Sequence, residues 1–238
     1  MENTERTQEK NLCEFIFKTD DKKQEASLFG IVLSEKDRNM RPESALAKCH
    51  IYGAPQRNSP ETIVIPSHDP QTGYPVTALE NNAFSGMSQM KHLFIPETVT
   101  RIDWHYYGLR SLEKITVDNA NPAFRDLDGV LFTKDMTELI AYPDAREAKE
   151  YFVPQGVRLL RPHSFSGCDI ENLYLPETVT EIGCNAFYKS SVRVICPSGL
   201  KTIHEPKGDS LYDVIRFTFN GTDYSYSDLC ARHPELIK

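Results

Sequence analysis

The sequence predicts a solenoid of about six stacked coils, and three observations carry that prediction. The first is near-duplication: Leu93–Ile102 (LFIPETVTRI) and Leu173–Ile182 (LYLPETVTEI) are two copies of one phrase. Partial copies are Val76–Leu79 with Asn82, Ala83, Phe84 and Gly86, and Val153-Pro154 with Val157–Leu160 and Ser164–Cys168. The second is spacing. Aligned on the apolar residue before the proline, the copies anchor at Ile65, Ile95, Val117, Val153, Leu175 and Cys196. Ile95 to Val117 and Val153 to Leu175 are both 22 residues, and Leu175 to Cys196 is 21. The third is that the frame resumes after two longer steps, of 30 residues to Ile95 and 36 to Val153. Chance similarity would lose the frame there.

In chain order, Leu12–Lys18 and Ala26–Leu33 are β-rich runs around the charged turn Thr19–Glu25, which predicts an antiparallel hairpin. Ala47–Tyr52 is a candidate third strand, and residues 1–60 form an N-terminal cap over the edge that a first coil would expose. Residues 61–205 form the array. Each coil opens with a short strand whose inward residues are Ile63/Ile65, Leu93/Ile95, Ile115/Val117, Tyr151/Val153, Leu173/Leu175 and Val194/Cys196. Proline follows in five of the six, with Asp118 in the third. Having no N–H to donate, proline ends the strand and starts the corner. Pairs such as Val99/Ile102 and Val179/Ile182 come next, then a central pair: Ala83-Phe84, Tyr106-Tyr107, Ser164-Phe165 or Ala186-Phe187. Gly86, Gly108 and Gly167 suit the turn after it, where a positive φ is cheap for glycine.

The longer steps are accounted for by Ser67–Pro75 and by a region around Asp126–Pro143. In the latter, Gly129–Thr133 and Glu138–Tyr142 flank Lys134–Thr137 and predict a hairpin extending from the third coil. After Glu205 the pattern stops. Val214–Phe219 and Tyr224–Tyr226 flank Asn220-Gly221, a hairpin signal, and Ser227–Ile237 reads as a short helix, so residues 206–238 are a C-terminal cap.

Composition narrows the function classes. With 27 basic against 34 acidic residues and no basic cluster, nucleic acid is not an expected partner. No apolar run approaches a membrane span, and the N-terminus has no apolar core of an export signal, so as it stands the chain reads as cytoplasmic. Six cysteines at 13, 49, 168, 184, 196 and 230 show no CxxC spacing; Cys168 and Cys196 fall at interior positions and read as free thiols.

The phrase x-L-x-I-P-x-x-V-T-x-I-G-x-x-A-F, most complete at Leu173–Phe187, resembles the BspA-like leucine-rich repeat family. The segment Asp128–Phe132 with Leu139–Pro143 is similar to a longer variant coil of that family, and the resemblance covers residues 61–205. It implies a right-handed leucine-rich repeat solenoid, mostly β, with a parallel sheet along its concave side. It also implies a non-enzymatic adhesion or binding protein, commonly at the cell surface.

Stacking turns outward strand positions into columns about 4.8 Å per step. One column reads Val64, Phe94, Thr116, Phe152, Tyr174, Ile195, and the column two residues earlier reads Thr62, His92, Lys114, Glu150, Asn172, Arg193. Rigid aromatics rimmed by charge favour an interaction surface. Phe94, Phe152 and Tyr174 are therefore candidate anchors for a protein or glycan ligand, with His92, Lys114, Asn172 and Arg193 as their rim. Two alternatives stand beside this: β-propensity filling a ladder, or a column covered by a cap or a second subunit. A structural role is the other functional class, with the aromatic column or the insertion hairpin making homotypic contacts in a homo-oligomer. No cofactor, metal or catalytic residue is assigned. Asp118, Asn119, Asn121, Asp126 and Asp128 lack a calcium-loop pattern and read as turn chemistry. Cys49-His50 and His204-Glu205 lack metal spacing.

Overall fold

Strands of two to four residues, ended by a corner and repeated about every 22 residues, cannot bury an apolar face alone and must stack on one another. The computed structural model describes residues 13–33, 61–80, 83–84, 87–103, 109–205 and 215–238. They form a β-solenoid of about six turns with little helix. On the first wall, β3 (Thr62–Val64), β5 (His92–Ile95) and β7 (Lys114–Val117) pair in parallel. Further along the same wall come β11 (Glu150–Phe152), β13 (Asn172–Tyr174), β15 (Arg193–Ile195) and β17 (Arg216–Phe219), also parallel. The second wall holds β4 (Val76–Leu79) with β6 (Arg101–Ile102), then β10 (Glu138–Ala141), β12 (Leu159–Leu160), β14 (Glu181–Ile182) and β16 (Thr202–Ile203).

The sequence-predicted inward residues are buried, with Tyr151 and Cys196 half-buried. Tyr142, Phe165, Phe187 and Phe217 form an aromatic spine with centroids 5.2, 6.0 and 6.2 Å apart in turn, the first pair stacked, the second tilted and the third edge-on. Threonines of the P-E-T corner tie coil to coil: Thr98 Oγ1 donates to Ser67 C=O at 3.0 Å, and Thr178 Oγ1 to Val157 C=O at 2.8 Å. In the third coil, whose corner lacks the proline, buried Asn121 takes over. Its amide donates to the carbonyls of Pro96 and Val99 and accepts from the N–H groups of Ala123 and Phe124. The left-handed turn position taken by Gly167 (φ 75°) is taken by Lys189 (φ 56°) one coil later, so glycine is not obligatory there.

The predicted N-terminal hairpin is present. β1 (Cys13–Asp20) and β2 (Glu25–Leu33) are antiparallel, and β2 lies parallel to β4 at the end of the second wall. The candidate strand Ala47–Tyr52, like Tyr106-Tyr107, lies outside the described residues. At the other end the array does not stop at Glu205, because β17 adds a further parallel rung, Arg216 pairing with Arg193. β18 (Thr222–Ser225) then turns back through Asn220 (φ 51°) and Gly221 (φ 76°), the left-handed pair of a type I′ hairpin. Helix α1 (Tyr226–Arg232) follows, with Ser225 accepting from the Asp228 N–H at 3.0 Å as its cap. A 3-10 turn (Pro234–Leu236) and a main-chain bond from Lys238 N–H to Ile203 C=O (3.1 Å) finish the chain against β16.

The insertion departs most from expectation. It is a three-stranded meander, β8 (Phe124–Leu127), β9 (Val130–Thr133) and β10, and it does not extend outward. Val130, Phe132, Leu139 and Tyr142 are buried in the core of the C-terminal half, whereas Leu131, Ile140 and Ala141 are buried in that of the N-terminal half. Both faces of β9 and β10 are apolar, so burial on both sides is the favourable arrangement, and the meander becomes a partition. The exposed parts are β8 with its turn, at Arg125, Leu127 and Asp128, and the turn after Thr133, which is ordered by Asp135, whose carboxylate accepts from Thr133 Oγ1 and from the N–H and Oγ1 of Thr137. Those bonds favour the charged form and lower its pKa.

Candidate functional site

Outward residues of the first wall alternate with the core residues, as the period of two requires. The two predicted columns exist, but they are split between two sheets. β3, β5 and β7 make one sheet and β11, β13, β15, β17 and β18 another. The physical cause is the meander. Ile115 N–H of β7 donates to Gly129 C=O at 2.9 Å, and Val117 N–H donates to Asp126 Oδ1 at 2.8 Å. Those bonds close the edge that would have received β11, so the six-residue ladder expected from the sequence is interrupted after Thr116.

The N-terminal sheet carries Phe94, His92 and Lys114. Phe94 is half-buried and in register with Val64 and Thr116. His92 is exposed with its Nε2 3.8 Å from Glu113, and the stem of Lys114 packs over Gly129. The C-terminal sheet brings the other four together. Phe152 is 64 % exposed and stacks on Tyr174, rings 4.4 Å apart and within 5° of parallel. Glu150 Oε1 accepts from Tyr174 Oη at 3.3 Å and from Asn172 Nδ2 at 3.5 Å. Arg193 pairs with Asp223 at 3.3 Å, and Asp223 also accepts from Thr218 Oγ1. Tyr174 titrates above its usual value, first through desolvation and then through the Glu150 carboxylate. None of the three aromatic candidates is buried beneath another part of the described chain.

Three participants were not among the sequence-predicted site residues, although one of them, Glu150, already stood in the rim column. Glu150 is the carboxylate that links Tyr174 and Asn172, and Asp223 reaches the face from the hairpin after the array. Leu127, 38 % exposed, sits between Asp126 and Gly129, both bonded to β7. The signal for β8 was available in Asp128-Gly129, whose φ values of 51° and 82° form a two-residue hairpin turn.

Elsewhere, Asp118 accepts from Ala120 N–H within its own turn, whereas Asp126 reaches across from β8 to the Val117 N–H of β7. A cavity of about 210 Å³ beside them is lined by Val117, Asp118, Asn119, Arg125, Asp126 and Lys134. Lys134 Nζ there already donates to Asn119 C=O. Among the described residues no group of three His, Cys, Asp or Glu side chains could hold a metal ion. His204 pairs with Glu181 at 2.6 Å across adjacent coils, and Cys49-His50 lies outside the described residues. Cys168, Cys184, Cys196 and Cys230 are free thiols. Burial raises Cys168 well above the ordinary thiol value and pushes Cys196 up to about 12, although the latter residue as a whole is only half-buried. Among the described residues no helix is long and apolar enough to cross a membrane.

A stacked array of proline-cornered β coils with an uninserted period near 22 defines a leucine-rich repeat protein. The chain belongs to the family of the BspA type leucine rich repeat region, which matches residues 62–130 and 141–220 in six copies. The gap between the two matched blocks falls in the meander. No curated protein matches the chain. Among solved structures, a leucine rich cell surface protein from Faecalibacterium prausnitzii A2-165 is similar at 27% identity over 62% of this chain and 48% of that one, with a TM-score of 0.46. A leucine-rich repeat protein from Eubacterium ventriosum ATCC 27560 is similar at 20% identity over 66% and 55%, with a TM-score of 0.45. One from Bacteroides ovatus ATCC 8483 is similar at 15% identity over 87% and 51%, with a TM-score of 0.49. This chain thus spans about half the length of each of these three proteins.

Proposed function

We propose that this chain is a non-catalytic binding module that engages a protein or glycan through the outward face of its first wall, with Phe152 and Tyr174 as anchors. The observation that carries the reading is the Phe152–Tyr174 stack, held open to solvent on a parallel sheet. Two rings fixed by their strands lose little conformational entropy when a ligand covers them, and aromatic anchors dominate interface energetics. Glu150, Asn172 and Arg193 supply a polar rim on the same sheet. Phe94, His92 and Lys114 make a second patch across the break. Membership of the repeat family supports an interaction module, since solenoids present extended surfaces. A cell-surface location, which the family resemblance implies, belongs to the same proposal.

The test presents the folded chain and a Phe152→Glu/Tyr174→Glu variant to arrays of purified matrix proteins and glycans, with circular dichroism reporting the fold. A ligand held by the parent should weaken about tenfold or more in the variant, the scale of losing one anchor. Equal binding by both proteins counts against the reading.

A further inference from the structure

Among the described residues the C-terminal sheet ends at β11 in a strand with one open edge. Asn172 N–H donates to Lys149 C=O at 3.1 Å and Val153 N–H to Tyr174 C=O at 3.0 Å. Residues 149, 151 and 153 therefore turn their main-chain groups toward β13, and the N–H and C=O groups of Glu150 and Phe152 point the other way. Among the described residues nothing bonds to those groups. The preceding strand of this wall, β7, does not reach them, because Gly129 and Asp126 have closed its edge.

We propose that this edge accepts an extended peptide segment of another protein, added as a strand beside β11. The proposal rests on the outward face being the binding surface and names the class of ligand. Three features favour that occupant. Open main-chain donors and acceptors on an exposed edge are a template for strand addition. Among the described residues Phe152 has a ring against one face only; a strand added at about 4.8 Å would set a side chain over the other, as Phe152 is set over Tyr174. An aromatic residue there extends the stack. Finally, Lys149 and Arg193 are already paired with Glu171 and Asp223, whereas Glu150 has no cation at ion-pair distance among the described residues. A basic side chain beside Glu150 meets that charge, and the chain's net charge of −7 favours a basic segment. Because alternate residues share a face, the ligand carries a basic and an aromatic residue two positions apart, basic first if parallel and aromatic first if antiparallel.

The experiment selects a random library of about twelve-residue displayed peptides, long enough to span such an edge, on the full chain and synthesises the enriched sequence. Enriched peptides should carry the basic-x-aromatic or aromatic-x-basic spacing. N-methylation at positions whose N–H meets β11 should weaken binding about tenfold, and N-methylation at the alternate positions should change it little. Phe152→Ala and Glu150→Gln should each weaken it with the fold unchanged by circular dichroism. Peptides indifferent to N-methylation but lost in Phe152→Ala would overturn strand addition and leave the face as a binding surface. Indifference to both would overturn both readings. An unenriched library overturns strand addition, as does a concentration-dependent homodimer abolished by Phe152→Ala, which assigns the edge to a second copy.

Discussion

At the residue scale, the repeated letters have separate physical jobs. A Cβ on Gly183, the glycine of the T-E-I-G phrase, would sit 2.6 Å from Pro162 N and 2.8 Å from Leu160 O, both backbone atoms of the preceding coil. Gly183→Ala should therefore lower unfolding free energy by about 1–3 kcal/mol, the cost of overpacking, in denaturant titration. Tyr142 is buried, and among the described residues its hydroxyl makes no hydrogen bond of normal length, the Arg146 guanidinium being its nearest polar neighbour; its ring stacks on Phe165 and meets Tyr151 at 4.8 Å. Burial pushes its phenol up to about 12, raises that of Tyr151 further, and raises the Cys168 thiol. Each group holds its proton more tightly folded than unfolded. Stability is thus full below the unfolded values of 9.0 for the thiol and 10.0 for the phenols, and is lost as pH rises through the folded ones. Tyr142→Phe should be neutral or stabilising at pH 7, since it removes a buried hydroxyl that has no hydrogen bond of normal length among the described residues, and should shallow the alkaline loss. Urea midpoints measured against pH check both statements.

At the element scale, the meander decides most. Leu131 and Phe132 are neighbours in β9 yet belong to different cores. Leu131→Ala should reduce amide-exchange protection mainly in β5 and β7, and Phe132→Ala mainly in β11 and β13, each at a cost of about 2–5 kcal/mol. Equal loss of protection in both halves would mean that the partition transmits strain instead of separating the cores. The hairpins show how much of an element can be read locally. Asn220-Gly221 is legible because two β-rich runs flank it, and its left-handed φ values follow from residue type. Asp128-Gly129 has the same chemistry, but Phe124–Leu127 (FRDL) has too little apolar alternation to announce β8. Burial pattern also hid the orientation of β9 and β10. Val130–Phe132 is apolar at every position, which marks a strand without saying that a core lies on each side.

At the scale of the whole molecule, nearest-neighbour stacking makes stability approximately a sum over coils and their interfaces. Deleting Val153–Tyr174, one 22-residue coil, joins Phe152 to Leu175 in frame. That variant should fold with β signal in circular dichroism and a lower denaturation midpoint. Deleting only Val153–Ile170, four residues short of the frame, should lower the midpoint further, because the four surplus residues must be looped out at the junction, as the array does at its two longer steps. The same additivity explains why the first wall tolerates its break. Each half keeps a second wall and a core of its own, so losing one rung of pairing between β7 and β11 unfolds neither.

The sequence by itself determined the family, the period, the inward residues and the identity of the outward columns, because these follow from spacing along the chain and from the alternation of a strand. It also named four of the side chains that share the C-terminal face: Phe152, Tyr174, Asn172 and Arg193. Only the tertiary structure decided that this face is separate from Phe94, His92 and Lys114, that Asp223 joins it, and that Glu150 of the rim column accepts from Tyr174 and Asn172. The reason is that edge closure depends on which main-chain groups meet. Asp126 and Gly129 are brought against β7 by a meander whose position is set by burying both its faces, and no local pattern encodes that encounter.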